Sequence, residues 1–369
     1  MTRYLRILST TVFIVLIGCT PRGVLTLYPA AESVGETQII FVSTTRAVDT
    51  DGEISTKRAK NASFLRYDIS VPPQHEVGEV DWPRGKPDPK QDFLTTRFER
   101  FNSSSSFTSN LSKALRNHPK GSREVVVFVH GFNNNFAEGL YRLAQLSNDM
   151  ELQNPTVHYS WPSAGNPLGY AYDRDSALFA RDGLENLLHS IKAAGADQIL
   201  LVGHSMGAFL TVETLRQMSI GNNRDLRRLL NGVILISPDI DVDLFRRQTA
   251  RIDPLPQPLV IFTSEKDRAL RLAARLSGTH QRLGNVRNID ELADLKVTLV
   301  DVTDYSNGFT GHFNAATSPA LLQILKRLRN LDAAFQNDRA GRPGLIPGTV
   351  LSVQKATQII LSPVLALAN

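Results

Sequence analysis

One segment restricts the fold of this chain more than any other: Ile199-Leu-Leu-Val-Gly-His-Ser-Met-Gly-Ala208. An apolar run typical of a buried strand leads into Gly203, Ser205 and Gly207, and residues typical of a helix follow. A chain that passes so quickly from strand to helix must turn sharply. Glycine two positions before and after the serine removes Cβ atoms that would collide with neighbouring backbone. The segment predicts a strained turn that presents the Ser205 hydroxyl and leaves the Met206 N–H at the start of a helix.

Strand and helix patterns alternate from residue 123 onward. Glu124-Val-Val-Val-Phe-Val129 is continuously apolar after its first residue, as in strands buried on both faces of a parallel sheet. This alternation predicts an α/β fold with a doubly wound, mostly parallel sheet and helices on both faces. We expect strands at 38–42, 65–71, 124–129, 156–161, 198–202, 232–236, 258–263 and 297–302. We expect helices at 136–150, 174–194, 206–219, 242–251, 266–277 and 315–334.

The N-terminus has the layout of a secretory signal. Arg3 and Arg6 precede residues 7–18, which are uncharged and mainly apolar, and Cys19, the single cysteine, follows. Leu16-Ile-Gly-Cys19 resembles the lipobox of bacterial lipoproteins, whose cysteine is lipidated and becomes the first residue of the mature protein. We expect a lipid-anchored protein of the bacterial cell envelope on the periplasmic side. The outer membrane is favoured because Thr20, rather than an aspartate, follows the cysteine. The alternative is an N-terminal helix with a cysteine there by chance.

These patterns divide the chain into predicted parts. They are a signal peptide at 1–18, a tether at 19–36, a folded domain at 37–335 and a tail at 336–369. Within the domain, residues 37–122 supply N-terminal strands and a loop, and 123–335 supply the core. We expect Ser103 to Ser106 to form a surface loop. The tail is interrupted by polar residues, so we do not expect it to span a bilayer. Packing on the core, lying on the membrane surface and disorder all stay open for it.

A serine hydroxyl is a strong nucleophile only beside a base that an acid orients. In strand–turn–helix sites of this kind, the acid and then the histidine follow the serine along the chain. Of eight histidines, only His280 and His312 follow the candidate acids. We favour His312 because it follows the last predicted core strand, whereas another strand still follows His280.

The acid is expected directly after a strand at the carboxyl edge of the sheet. Asp267 follows the strand at 258–263 and is the favoured position. Glu265 lies two residues earlier and could substitute. Asp239 or Asp241 follows the preceding strand, although these aspartates could instead cap the segment at 242–251.

A second turn follows the strand at 124–129. In α/β-hydrolases, a His-Gly turn at this place supplies one N–H group of the oxyanion hole. By that analogy the donors here are the backbone N–H groups of Phe132 and Met206. His130 is expected to hold the loop and not to act as the base. The asparagines at 133–135 could also simply cap the next helix.

Composition and motifs argue against several other functions. The net charge is only +5, and no basic run is interleaved with aromatic residues, so nucleic acid is not an expected partner. The sequence lacks HExxH, a cysteine cluster, GxGxxG and a P-loop. We therefore expect no cofactor and no metal, and infer no specific protein partner.

From about residue 38 to 314, the chain resembles bacterial α/β-hydrolases of unknown function known as DUF900. The resembling segments are Phe41-Val-Ser-Thr-Thr-Arg46, Ser70-Val-Pro-Pro73, Gly78-Glu-Val-Asp-Trp-Pro83, Val129-His-Gly-Phe-Asn-Asn134, Ser160-Trp-Pro-Ser163, Gly203-His-Ser-Met-Gly207, Ser237-Pro-Asp-Ile-Asp241, Glu265-Lys-Asp-Arg-Ala-Leu270 and Arg282-Leu-Gly284. The resemblance implies an esterase-like or lipase-like hydrolase. It also adds Arg46 and Trp82 as residues of the family pattern, without a role for either.

Together these features predict a serine hydrolase, expected to cleave a small-molecule or lipid carboxylic ester through an acyl-serine intermediate. Ser205 is the expected nucleophile, His312 the base and Asp267 the acid. Two alternatives share this fold. One is a non-catalytic binding or scaffold lipoprotein, and the other is an acyltransferase with the same triad.

Overall fold

The computed structural model describes residues 22–49, 53–279, 281–286, 289–292, 294–305, 312, 317–319, 322, 349–355 and 358–363. The strands are β1 (Glu36–Val48), β2 (Ile54–Val71), β3 (Leu94–Phe101), β4 (Glu124–Val129), β5 (Thr156–Ser160), β6 (Gln198–His204), β7 (Leu230–Ile236), β8 (Leu259–Thr263), β9 (Thr298–Asp301), β10 (Thr349–Lys355) and β11 (Gln358–Pro363). The α-helices are α1 (Ser104–Leu115), α2 (Phe136–Asp149), α3 (Tyr170–Phe179), α4 (Arg181–Ala193), α5 (Met206–Ile220), α6 (Arg224–Arg227), α7 (Val242–Thr249) and α8 (Arg268–Leu276).

All the described strands join one sheet in the order β11-β10-β9-β8-β7-β6-β4-β5-β1-β2-β3. The eight neighbouring strands from β10 to β1 are parallel, and antiparallel pairs form both ends of the sheet. From β4 the chain passes to β5 on one side and then returns to β6 on the other. Such a switch opens a crevice at the carboxyl ends of the strands. The predicted doubly wound, mostly parallel sheet is confirmed.

Each face of the central sheet has its own hydrophobic core. Along β4, Val125, Val127 and Val129 pack into the core that also contains α5, whereas Phe128 packs into the core that contains α2. Every residue of β4 is buried. This burial on both faces explains why the strand is a continuous apolar run and does not alternate with polar residues.

Two expectations about helices were wrong. The segment at 174–194 is two helices, α3 and α4, joined at Ala180. Ser103 to Ser106 is not a loop but the cap and first turn of α1. The Ser103 side chain accepts a hydrogen bond from Ser106 N–H, and the Ser106 side chain accepts one from Ser103 N–H, both at 3.2 Å. Small hydroxyl side chains favour a helix start for this reason, so a polar run of this kind fits a cap as well as a loop.

The two ends of the chain differ in how much the structure describes. In the tail, whose position the sequence left open, β10 pairs in parallel with β9, and β11 pairs with β10. Cys19 and the predicted signal peptide lie outside the described residues, as does most of the helix expected at 315–334. Across the described ranges, no helix combines the length and apolar character that a bilayer crossing needs.

Candidate active site

Ser205 occupies the sharp turn between β6 and α5. Its backbone has φ 53° and ψ −119°, a left-handed region that is energetically unfavourable for any residue with a Cβ. A Cβ at Gly207 would lie 2.3 Å from the carbonyl oxygens of Val129 and His130, and one at Gly203 would lie 2.8 Å from Ala208 Cα. The steric reason predicted for the two glycines is therefore confirmed.

Three side chains that are distant in the sequence form a continuous hydrogen-bonded chain at this turn. His312 Nε2 lies 2.9 Å from Ser205 Oγ, and His312 Nδ1 lies 2.8 Å from Asp267 Oδ2. Ser205 and Asp267 are 107 and 45 positions from the histidine. With the imidazole protonated on Nδ1, Nδ1–H donates to the carboxylate and Nε2 accepts from the serine hydroxyl.

The position of Asp267 is set by a helix cap. The residue follows β8, is fully buried, and its Oδ1 accepts the Leu270 N–H of α8 at 2.9 Å. One carboxylate oxygen is thus bound to the helix start, and the other is directed at His312. An aspartate that caps a helix is held in one rotamer by the backbone, so the acid is oriented before any substrate arrives.

The pKa of His312 results from two opposing effects. Burial by itself lowers the pKa of the imidazole, because it disfavours the charged form. The negative charge of Asp267 and its hydrogen bond to Nδ1 act in the opposite direction and prevail, with a smaller contribution from Asp239. The pKa is therefore raised above its ordinary value of 6.5.

The alternative aspartates interact with groups other than His312. Asp239 is buried, with Arg282 Nε 3.1 Å from its Oδ1 and the Tyr170 hydroxyl donating to its Oδ2 at 2.9 Å. Asp241 caps α7, as the structural alternative expected. Glu265 is exposed on the surface. His280, the alternative base, lies outside the described residues.

The turn after β4 lies directly against Ser205. A Cβ built on Gly131 would lie 3.0 Å from the Ser205 Cβ, so the turn that contains Phe132 packs against the serine. Met206 is the first residue of α5, where a backbone N–H has no acceptor within its own helix. The turn that contains Phe132 and the start of α5 at Met206 thus both adjoin Ser205, and the role of the two N–H groups as oxyanion donors stays a prediction.

The side chains of His130 and Trp161 pack against each other and stabilise this turn. Their rings stack at a centroid distance of 5.0 Å, and Trp161 Nε1 donates to the His130 carbonyl oxygen at 2.6 Å. Burial lowers the pKa of His130 to about 3, so its ring is neutral. Trp161 is fully buried and fills the core beneath the turn rather than lining a substrate pocket.

Hydrogen bonds from the Arg46 side chain stabilise the same turn, a role that the sequence did not reveal. Its side chain is 1% exposed and donates to Ser160 Oγ at 3.0 Å, and to the carbonyl oxygens of Ser163 and Asn134 at 2.9 Å each. Burial lowers the pKa of Arg46 to about 10, against the opposing influence of the Asp173 carboxylate. The guanidinium stays charged at neutral pH and ties β1 to the turns after β4 and β5.

Asp173 completes this buried arrangement. Its carboxylate accepts the Ser163 hydroxyl and Ala164 N–H at 2.6 Å each, and Asn133 N–H at 3.3 Å. Burial raises the pKa of Asp173. Only the motif containing Arg46 carried a signal in the sequence, because Asp173 directly precedes an ordinary helical pattern and belongs to no motif.

A cavity of about 1090 Å³ opens beside the relay, the hydrogen-bonded chain of Ser205, His312 and Asp267. Its wall includes His312 and Phe132 together with Arg22, Trp82 and Arg142. Trp82 therefore belongs to the wall of the site. Within the described ranges, no three His, Cys, Asp or Glu side chains are grouped as a metal site would need.

A serine on a strand–turn–helix elbow, followed in the chain by its acid and its histidine at the carboxyl edge of a doubly wound sheet, defines the α/β-hydrolase class. Residues 103–329 match the family described as "Alpha/beta hydrolase of unknown function (DUF900)". This match covers more than half of the chain, which belongs to that family. The match begins at residue 103, so the resembling segments that contain Arg46 and Trp82 lie outside it.

Single relatives give weaker likenesses. An uncharacterized protein from Nostoc sp. is 36% identical over 63 residues, 17% of this chain and 16% of that protein. A fungal esterase from Rhizomucor miehei shares 14% identity, covering 83% of this chain and 88% of its own, with a TM-score of 0.36. A Pyrococcus furiosus esterase shares 11% identity, covering 86% and 98%, with a TM-score of 0.39. The assignment to the α/β-hydrolase class therefore rests on the family match and the strand order.

Proposed function

We propose that this protein is a serine hydrolase that cleaves carboxylic esters through an acyl-serine intermediate. One observation carries the proposal, the unbroken relay in which His312 contacts Asp267 at 2.8 Å and Ser205 at 2.9 Å. Each distance lies within the range of a good hydrogen bond. The relay also lies on a cavity large enough for a small-molecule or lipid ester.

The geometry supports the following sequence of steps. Ser205 Oγ attacks the acyl carbonyl carbon while its proton passes to His312 Nε2. Asp267 accepts the Nδ1–H bond and stabilises the imidazolium that forms. The negative oxygen of the tetrahedral intermediate is held by the Phe132 and Met206 N–H groups. His312 then protonates the leaving alkoxide, which departs as an alcohol.

Deacylation uses the same groups. Water loses a proton to His312 Nε2 and attacks the acyl-serine, and Ser205 Oγ leaves with that proton. The carboxylic acid product then dissociates. An acyltransferase would differ only in that an alcohol or amine replaces this water, and product analysis with added acceptors distinguishes the two.

Labelling by a fluorophosphonate probe tests the proposal. We expect the wild-type protein to become labelled and the Ser205→Ala variant to remain unlabelled, with turnover of p-nitrophenyl butyrate lowered by several powers of ten, on the order of 10⁶ for comparable serine knockouts. Ser122 is exposed, and Ser122→Ala serves as the matched control that keeps labelling. An unlabelled wild-type protein would favour the scaffold alternative, and labelling that survives Ser205→Ala would place the nucleophile elsewhere.

We further propose that Cys19 carries a lipid and holds the protein on the periplasmic side of a bacterial envelope membrane, with the outer membrane favoured. The lipobox-like sequence before Cys19 supports this location. Membrane fractionation provides the test. Cys19→Ser should move the protein from the membrane to the soluble fraction, and unchanged fractionation would refute lipid anchoring.

A further inference from the structure

The first described residues of the chain are bound to the turn that forms the active site. Arg22 Nη1 donates to Asn133 Oδ1 at 2.9 Å, and Arg22 Nη2 donates to the Asn133 carbonyl oxygen at 2.8 Å and to Glu138 Oε2 at 2.6 Å. Gly23 N–H donates to Glu138 Oε1 at 3.1 Å, and Asn135 Nδ2 donates to the Gly23 carbonyl oxygen at 2.8 Å. The N-terminal segment therefore joins the domain at the turn after β4.

This junction lies on the rim of the active-site cavity. Arg22 lines the same cavity as Phe132 and His312. Cys19 precedes Arg22 by only three residues, which span at most about 11 Å when fully extended. A folded domain of about 300 residues has a radius of gyration of about 19 Å. Because the lipid tether is shorter than this radius, a lipid on Cys19 would keep the cavity rim beside the membrane.

The surface around the junction exposes apolar side chains. Leu168 is 93% exposed and directly follows Ala164 to Pro167, which line the cavity. On the other side of Arg22, Gly23 borders a groove of about 470 Å³ that Val24, Leu27 and Phe98 also line. These three side chains are 55–59% exposed. Apolar side chains exposed beside two adjoining openings are unfavourable in water and typical of a surface that another apolar phase covers.

We propose that Leu168, Val24, Leu27 and Phe98, here named the membrane rim, rest on the leaflet that holds the Cys19 lipid. The active-site cavity then opens onto that leaflet, and the substrate is an acyl ester of a lipid within it. This inference rests on the proposed hydrolase function and on lipidation of Cys19. It adds the substrate class and the orientation of the site.

The test compares two esters with the full-length, lipidated protein in phosphatidylcholine vesicles. One ester is a fluorogenic diacylglycerol in the bilayer, and the other is p-nitrophenyl butyrate in solution. The measured quantity is the ratio of the first rate to the second, because it cancels any general loss of activity. The key variant combines Leu168→Asp with about 30 Gly and Ser residues inserted after Thr20, which lengthen the tether by roughly 30 Å.

We expect this combined variant to lower the ratio by at least about tenfold, the lower end of the fold-change that burial of one leucine side chain is worth. Ile220→Asp, combined with the same insertion, is the matched control, because Ile220 is 62% exposed and ends α5, about 22 Å along the helix from Ser205. We expect the control to change the ratio less than about twofold, as for an exposed site away from the rim.

Each outcome separates the two proposals. A wild-type protein that cleaves the soluble ester but not the diacylglycerol refutes the lipid substrate and leaves the hydrolase standing. An unchanged ratio in the combined variant, an equal fall in the Ile220→Asp control, or a wild-type protein that does not bind the vesicles refutes the membrane rim. Absence of both activities refutes the hydrolase itself and the inference with it.

Discussion

Replacing Asp267 by asparagine should remove activity while leaving the fold almost as stable. Asparagine caps a helix as well as aspartate does, so its Oδ1 can still accept the Leu270 N–H that Asp267 accepts at 2.9 Å. Its amide NH₂ then points at His312 Nδ1 and needs an acceptor there. The imidazole must move its proton to Nε2, and that tautomer cannot accept the Ser205 proton.

The expected magnitude follows from this reversed tautomer. In a Ser-His-Asp triad such a change lowers kcat by about 10⁴-fold, or about 5.4 kcal/mol of transition-state stabilisation at 1.36 kcal/mol per tenfold. Asp239→Asn should instead retain activity and lose stability. It leaves Arg282, only 1% exposed, without its carboxylate partner, and breaking such a buried pair costs about 3–5 kcal/mol of unfolding free energy. Its folded fraction should keep most of the activity.

The assay pairs two measurements on each purified variant. Urea unfolding followed by tryptophan fluorescence gives the free energy of unfolding, and hydrolysis of p-nitrophenyl butyrate at a pH above the His312 pKa gives kcat. Asp267→Asn should be inactive and stable, and Asp239→Asn active and destabilised. Comparable kcat losses in the two variants, or a larger loss in Asp239→Asn, would refute the assignment of Asp267 as the acid.

Three further outcomes are expected. The rate kcat/KM should rise with pH through a midpoint above 6.5, since the neutral form of His312 is the base and Asp267 raises its pKa; a midpoint at or below 6.5, measured with a soluble ester, would contradict this. Arg46→Met should lower the free energy of unfolding in urea by at least about 1–3 kcal/mol, because it removes the donor to Ser160 Oγ and to the carbonyl oxygens of Ser163 and Asn134; Arg46→Lys should recover part of the loss, and equal stability of Arg46→Met and wild type would refute this stabilising role. Gly207→Ala should lower the free energy of unfolding by at least about 1–3 kcal/mol, because its Cβ would lie 2.3 Å from two carbonyl oxygens. An unchanged melting temperature in calorimetry would show that the turn can accommodate a Cβ.

The sequence anticipated features that depend on neighbours along the chain. The apolar runs of β4 and β6 indicated strands buried on both faces, and the glycines around Ser205 indicated a strained turn. Capping was harder to read, since the serines at 103–106 fit a loop as well as a helix start. Strand β3 went unpredicted, and the tail, which adds β10 and β11, could not be placed from its composition.

The sequence by itself therefore determined the elbow at Ser205 and the alternating α/β architecture, because sterics and hydrophobic periodicity act over a few residues. Only the tertiary structure decided which carboxylate contacts His312. Asp239 and Asp267 each follow a parallel strand, and they are told apart by partners far along the chain: Arg282 binds the first and His312 the second. The same holds for Arg46 and Arg22, whose roles depend on distances that the fold creates between segments more than eighty residues apart.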